Sequence, residues 1–233
     1  MALDLLVFGP HPDDLEIGLG GTIALHAARG DRVGLCDLTA GEMGSNGTVE
    51  ERLTESEAAR AVLGASWRIN LRWPDRAIGR DPEHVREAAG LVRKVRPRAV
   101  ALPYWSDRHP DHGAASQVLT EAVFNAGLRR YDAEAEAWRP EWIVYYFIND
   151  TVDPSFMIDV SDHYEIKRRA LECHRSQFIA AAAGAVETRL TSPLFSQLVE
   201  SRDAQFGARA GVRWAEGFVV REPVLRSGLF RTD

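Results

Sequence analysis

An apolar run ends directly at a group of chemically active residues near the start of the chain, and this junction constrains the fold more than any other feature. Residues 3–8 are apolar except for Asp4, and the hexapeptide Gly9-Pro10-His11-Pro12-Asp13-Asp14 follows them. Residues 15–29 then have a helical pattern. The order predicts a buried strand, a tight turn and a helix. In open α/β sheets ligands bind beyond the carboxyl ends of the strands, so the turn predicts a ligand site at a sheet edge.

Strands and helices alternate through the first half of the chain. Further strands are predicted at residues 32–38, 66–71 and 98–102, and further helices at 49–63, 81–95 and 111–127. The 81–95 helix is predicted to have Asp81 as its cap and Pro82 as its first residue. Such alternation predicts an α/β fold with a mostly parallel sheet and helices on both faces.

The pattern changes after Leu128. Strands are predicted at residues 142–148, 156–160 and 218–220, helices at 162–177 and 194–208, and a mobile loop at 179–190. We expect a single domain over residues 1–233. It consists of a doubly wound core, residues 1–128, and a β-containing C-terminal elaboration, residues 129–233.

Charge and cysteine content exclude several classes of partner. The formal net charge is −6 and no basic block occurs, so we expect neither a nucleic acid nor a membrane as partner. Two cysteines, Cys36 and Cys173, do not make a disulfide framework. No basic leader and no apolar stretch of about 18 residues is present, which predicts a cytoplasmic protein.

A second motif resembles the first. His109-Pro110-Asp111-His112 also follows a predicted strand and opens a predicted helix, and its first histidine lies 109 − 11 = 98 residues after His11. Carboxyl ends of parallel strands share one sheet edge. His11, Asp14 and His112 are therefore candidate metal ligands. Two histidines and one carboxylate suit Zn²⁺ with an open position for water.

The remaining groups of the two motifs suit acid–base work. Asp13 is the candidate base, and His109 is its partner. Asp111 is a candidate to hold the His109 ring by a hydrogen bond. Either motif alone also fits an ordinary helix start, because proline and aspartate favour the first turn. Their repetition at two strand ends favours a site.

Other residues near the same edge are weaker candidates. Arg52 and Asp75 are predicted to bind substrate because they follow the second and third strands. Gly18-x-Gly20-Gly21 does not match the dinucleotide fingerprint and lies inside the first helix, so it predicts close helix–sheet packing. A nucleotide-binding module remains the non-enzyme alternative.

The two motifs resemble the signatures of the LmbE-like (PIG-L) zinc deacetylases, which include the GlcNAc-phosphatidylinositol de-N-acetylase. Pro10–Asp14 and His109–His112 carry this resemblance. Further segments are similar to the bacillithiol-pathway branch, which removes acetate from N-acetylglucosaminyl-malate. These segments are residues 37–42, 45–48, 70–76, 107–112 and 216–218, together with Arg52.

The resemblance implies a Rossmann-like three-layer fold and a set of roles. Zn²⁺, or another divalent ion such as Fe²⁺, is expected on His11, Asp14 and His112. Asp13 is expected to be the general base, and protonated His109 the oxyanion stabiliser with Asp111 behind it. A homo-oligomer, often a hexamer, is also implied. The mycothiol branch has a helpful tyrosine two residues before the second histidine motif, where this chain has Asp107.

The sequence does not decide between several substrates, nor which residue protonates the leaving amine. Arg108 or Arg139 is expected to bind a malate carboxylate through a forked contact. Deacetylation of another GlcNAc conjugate, cleavage of a thiol-conjugate amide, and a structural metal site are the alternatives. Either Asp13 or His109 protonates the leaving amine.

Overall fold

The computed structural model of the chain describes residues 2–179 and 186–225. Part of the predicted 179–190 loop, residues 180–185, lies outside the described residues. The elements in chain order are β1 (Leu5–Gly9), α1 (Asp14–Ala28), β2 (Val33–Thr39), α2 (Val49–Leu63), β3 (Trp67–Trp73), α3 (Glu83–Val95), β4 (Ala99–Pro103), α4 (Pro110–Ala126), β5 (Trp142–Tyr146), β6 (Phe156–Asp159), α5 (Tyr164–Cys173), α6 (Arg175–Phe178), α7 (Pro193–Ala210) and β7 (Ala215–Val219).

Seven strands form one sheet in the order β3-β2-β1-β4-β5-β7-β6. The first five strands in this order are parallel, and β7 pairs antiparallel with both β5 and β6. The register aligns Gly9 at the end of β1 with Asp37 in β2. The α/β fold with a mostly parallel sheet is confirmed, and residues 129–233 extend the same sheet by β5, which is parallel to β4, and by β6 and β7, of which β7 runs antiparallel to its neighbours.

Helices cover both faces of the sheet, which explains why β1 and β2 are buried along their whole length. One core cluster contains residues of α3 and α4, and the other contains residues of α1, α2 and α5. The chain therefore leaves β1 and β4 toward opposite faces, and the sheet has its topological switch point between these two strands.

Local sequence signals explain most helix ends. Thr48 and Glu51 form a reciprocal capping box at the start of α2, and Gly64 ends that helix in the left-handed conformation. Helix α7 begins after Ser192 with Pro193 in its first turn. Among the described residues, none of the helices combines the length and apolar composition needed to cross a bilayer.

Several boundaries differ from the sequence prediction. Helix α3 begins at Glu83, after Pro82, although Asp81 still accepts a hydrogen bond from the Glu83 N–H (2.9 Å). The predicted 162–177 helix is two helices, α5 and α6, separated at the buried His174, where the backbone is non-helical (φ −81°, ψ 56°). Strand β7 begins at Ala215, three residues before the predicted strand.

The glycines of α1 allow close packing, as predicted. A Cβ on Gly18 would lie 2.2 Å from the Tyr146 ring of β5. Gly20 lies against Lys167 of α5, and Gly21 lies against Val160. No side chain larger than hydrogen fits at Gly18 without displacing the sheet.

We expect Gly18→Ala to destabilise the protein by about 1–3 kcal/mol because it overpacks this contact. Gly90→Ala is the matched control: it also changes a helical glycine, but the nearest atom to the added Cβ is 3.5 Å away. That change should be neutral or stabilising by up to about 1 kcal/mol. Urea unfolding measures both, and equal stabilities would contradict the packing explanation.

Candidate active site

A cavity of about 450 Å³ lies at the switch point, beyond the carboxyl ends of β1 and β4. Both histidine motifs reach it: the first follows β1 directly, and the second follows β4 after a short loop, residues 104–108. Many charged and polar residues line the cavity. They include His11, Asp13, Asp14, Arg52, Asp75, Arg76, Arg108, His109, His112, Asn149 and Arg189.

Asp14 lies between the two predicted histidine ligands. Its Oδ2 is 3.0 Å from His11 Nδ1 and 3.3 Å from His112 Nε2. All three residues are buried. A tetrahedral ion with bonds of roughly 2.0–2.1 Å separates neighbouring ligand atoms by roughly 3.3 Å. The spacing of these donor atoms therefore fits such an ion.

The second ring nitrogen of each histidine faces a carboxylate. His112 Nδ1 lies 2.9 Å from Asp107 Oδ1. His11 Nε2 lies 3.3 Å from Asp75 Oδ1 and 3.3 Å from Asp111 Oδ2. Carboxylates on the far nitrogen are typical of metal-binding histidines, whose tautomer and orientation they fix.

Two other groups of side chains also bring potential metal-ligand atoms close to one another. Within the described part of the chain, His11, His109 and His112 offer atoms within 4.8 Å of one another, and so do His11, Asp75 and Asp111. We favour the set with Asp14, because its oxygen lies within 3.3 Å of both histidine nitrogens.

The surrounding charges favour a cation. Burial opposes protonation of His112, but the charge of Asp14 and the hydrogen bond to Asp107 outweigh it and raise its pKa to about 9. Burial likewise opposes ionisation of Asp14, yet the charge of His112 and the hydrogen bond to His11 hold its pKa well below the ordinary range. The site thus stabilises positive charge between its carboxylates.

Asp13 is strained, buried and poised as a base. Its backbone has φ 111°, in the left-handed region that non-glycine residues avoid at a cost of about 1–3 kcal/mol. Arg52 Nη2 donates to the Pro12 carbonyl (2.8 Å) and lies 3.4 Å from Asp13 Oδ2. Burial raises the pKa of Asp13 to about 6, although the charge of Arg52 opposes this. A carboxylate with such a pKa can exchange protons near neutrality.

His109 is the N-cap of α4, and its Nδ1 accepts the Asp111 N–H (3.3 Å). This bond assigns the proton of the neutral ring to Nε2. Burial lowers the pKa of His109, and the charges of His112 and His11 lower it further. The lowered pKa favours the neutral ring, which would donate from Nε2; the protonated His109 that the resemblance implies stays a prediction.

Asp111 differs from its predicted role. Its carboxylate accepts hydrogen bonds from the Arg76 N–H (3.0 Å) and Arg76 Nη1 (2.8 Å), and it faces His11 Nε2. Only its backbone N–H contacts the His109 ring. Asp111 is therefore placed to orient His11, and its carboxylate is held there by Arg76.

The four residues predicted to bind substrate line two different cavities. Arg52, Asp75 and Arg108 line the cavity, but Arg139 lines a second cavity of about 530 Å³ together with Trp142 and Arg221. Arg52 is buried, and it donates to the Gly41 and Pro12 carbonyl oxygens. Asp75 accepts the Met43 N–H (3.1 Å) and faces His11.

Sequence reasoning missed several residues of the site. Asp107 accepts from the His109 N–H (2.8 Å) and from Asn149 Nδ2 (3.0 Å), in addition to facing His112. Arg189 joins the cavity from the C-terminal half. The signal for Asp107 was its position five residues before His112, at the same strand end. We found no local signal for Asn149 or Arg189.

Comparison with known proteins agrees with the two motifs. Residues 6–123 match the family model described as PIG-L: GlcNAc-PI de-N-acetylase. The diacetylchitobiose deacetylase of Thermococcus kodakarensis is 31% identical over 228 residues, which cover 91% of this chain and 81% of that protein. The 1D-myo-inositol 2-acetamido-2-deoxy-alpha-D-glucopyranoside deacetylase of Rhodococcus opacus is 27% identical, and the match covers 91% of this chain and 94% of that protein.

The fold is also similar to a solved structure. The conserved protein TT1542 from Thermus thermophilus is 40% identical and superposes with a TM-score of 0.89, covering 99% of this chain and 100% of that one. Both motifs of the present chain lie within the region that matches the family model.

Loss of the Asp107 carboxylate should weaken metal binding by about 10–100-fold, because the His112 ring loses its acceptor. We expect Asp107→Ala to show this loss in the Zn²⁺ dissociation constant, measured by competition with a chelator. Asp150→Ala removes an exposed carboxylate nearby and should leave the constant unchanged. Equal constants in the two variants would show that Asp107 does not support His112.

Proposed function

The chain belongs to the PIG-L (GlcNAc-PI de-N-acetylase) family, and from this premise we propose that it removes acetate from a GlcNAc conjugate whose aglycone carries a carboxylate, with N-acetylglucosaminyl-malate as substrate. The reaction is hydrolysis of the amide at the 2-acetamido group. The observation that supports the chemistry is the cluster of His11, Asp14 and His112, whose donor atoms fit a metal ion, beside the buried carboxylate of Asp13.

His11, Asp14 and His112 would hold the metal in this proposal. A bound Zn²⁺ supplies Lewis acidity, which polarises a carbonyl and lowers the pKa of water. Asp13 takes the proton of the attacking water, and its raised pKa lets it pass that proton to the leaving amine. His109 donates a hydrogen bond from Nε2 to the developing oxyanion. One such donor is commonly worth about 3–4 kcal/mol.

Two arginines at the mouth of the cavity support a carboxylate on the substrate. Arg108 and Arg189 are exposed and line the cavity. Among the described residues, neither guanidinium forms a hydrogen bond or ion pair with a carboxylate, while Arg189 lies over the Phe195 ring at 5.5 Å. Their forked donors match a carboxylate in geometry and charge. Arg52 and Asp75 would support binding of the sugar end, closer to His11.

The alternative function, indicated by the names of the relatives, is removal of acetate from a substrate without a carboxylate. Inositol and chitobiose conjugates are uncharged at the corresponding position, and the relatives named for them share the family chemistry. A neutral aglycone would leave Arg108 and Arg189 facing water. Zinc as the metal, a homo-oligomer and a cytoplasmic location remain predictions from the sequence and the resemblance.

Replacement of the base should slow turnover strongly without releasing the metal. We expect Asp13→Asn to retain metal and to lose about 10²–10⁴ in rate, the usual effect of losing a general base. In the unsubstituted enzyme kcat/KM should fall as pH drops through about 6, because Asp13 acts when ionised and is protonated below its pKa. Acetate release with metal analysis measures both, and near-normal turnover of metal-loaded Asp13→Asn would exclude this role.

Substrate choice is tested by kcat/KM on N-acetylglucosaminyl-malate and on the neutral inositol conjugate. The malate conjugate should be preferred. Arg108→Ala and Arg189→Ala should each reduce efficiency on it about 10–100-fold, since a hydrogen bond to a charged group contributes about 1.5–3 kcal/mol. The neutral conjugate should be affected much less.

Arg139→Ala is the matched control, because Arg139 lines the other cavity and should leave both efficiencies unchanged. Arg52→Ala should reduce both substrates alike. A preference for the neutral conjugate, or a selectivity that neither Arg108→Ala nor Arg189→Ala alters, would exclude the malate assignment and leave the deacetylase chemistry intact.

A further inference from the structure

Helix α1, which begins at Asp14, is interrupted at Leu19, whose φ is −148° and ψ 30°. An uninterrupted helix would pair the Gly21 N–H with the Ile17 carbonyl. Here side chains hold both groups.

Two residues of the C-terminal half supply these side chains. Arg202 Nη2 donates to the Ile17 carbonyl oxygen at 2.6 Å. The Gly21 N–H donates to Glu216 Oε1 at 3.0 Å, and the neighbouring Thr22 N–H donates to Glu216 Oε2 at 2.7 Å. The interruption is therefore satisfied by side chains, and the first part of α1 has its own support.

The same guanidinium also reaches the other side of the site. Arg202 Nη1 donates to the Phe147 and Ile148 carbonyl oxygens, each at 3.1 Å. The next residue, Asn149, donates from its backbone (2.9 Å) and from its side chain (3.0 Å) to Asp107. Asp107 is the carboxylate behind the second histidine ligand, so Arg202 joins the segments that support both ligands.

A buried chain of alternating charges holds Arg202. Its Nε donates to Asp203 Oδ1 (2.8 Å), and Lys167 Nζ donates to Asp203 Oδ2 (2.7 Å) and to Glu216 Oε1 (2.6 Å). The four side chains are buried. Removing one member of such a group leaves an uncompensated buried charge, so the four residues hold one another in place.

We propose that Arg202, held by the Asp203–Lys167–Glu216 chain, is a positioning residue that fixes Asp14 relative to His112. The inference rests on the proposed ligand set. Asp14 lies in the first part of α1, before the Leu19 interruption, and His112 lies in α4. Loss of the Arg202 side chain would remove the hydrogen bonds that join the Ile17 carbonyl of α1 to the segment before Asn149.

The test compares Arg202→Gln with Arg93→Gln. Arg93 is a matched control: it is also buried and also donates to backbone carbonyls, those of Ala126 (3.0 Å) and Leu128 (2.6 Å), but these carbonyls lie in neither histidine motif and outside the segment before Asn149. Both variants should lose stability. Only Arg202→Gln should raise the Zn²⁺ dissociation constant, by about 10–100-fold as for other residues that support metal ligands, and alter the visible spectrum of the Co²⁺-substituted protein.

Glu216→Gln is a second variant of the same charged cluster, and it tests the positioning role if Arg202→Gln does not fold. It should weaken Zn²⁺ binding and alter the Co²⁺ spectrum in the same direction. Wild-type affinity and spectrum in the folded variants, or equal losses in Arg93→Gln, would overturn the positioning role. His112→Ala separates this from failure of the ligand assignment, since metal retention in that variant would remove His112 from the site.

Discussion

One carboxylate oxygen, Asp14 Oδ2, joins the two halves of the site. It accepts the His11 backbone N–H (3.0 Å) and lies within 3.3 Å of a ring nitrogen of both His11 and His112. The first turn of α1 favours a negative charge at this point, and the neighbouring histidines keep the buried group ionised. The turn after β1 and the turn after β4 are thereby fixed to one another, which positions Asp13 and His109.

Buried ion pairs outside the cavity lining also hold the start of α1 in place. Arg68 of β3 pairs with Glu16 Oε1 (2.5 Å) and with Asp37 Oδ2 (2.7 Å), and all three side chains are buried. Buried pairs seldom add net stability, because desolvation offsets their attraction. Their value here is geometric: Arg68 ties α1 to β2 and β3, as Arg202 ties α1 to the segment before Asn149. Several independent contacts thus orient the strained start of α1.

The floor and the rim of the cavity come from different parts of the chain. Sheet edges and helix starts supply the reactive groups, whereas loops supply much of the rim. Asn46 exchanges two hydrogen bonds of 2.8 Å with the backbone of Val186, which joins the loop after β2 to the segment that carries Arg189. Loops tolerate change better than the sheet. Relatives can therefore share the hydrolysis and differ in the aglycone that they accept.

The sequence alone determined the parallel core and the meeting of the two histidine motifs, because strand order and helix starts are local signals and carboxyl ends share one edge. It also predicted the packing of Gly18. Only the tertiary structure decided that Asp111 faces His11, that Arg139 lines another cavity, and that α1 is interrupted at Leu19. These features depend on contacts between residues distant in the chain, which spacing and propensity do not encode.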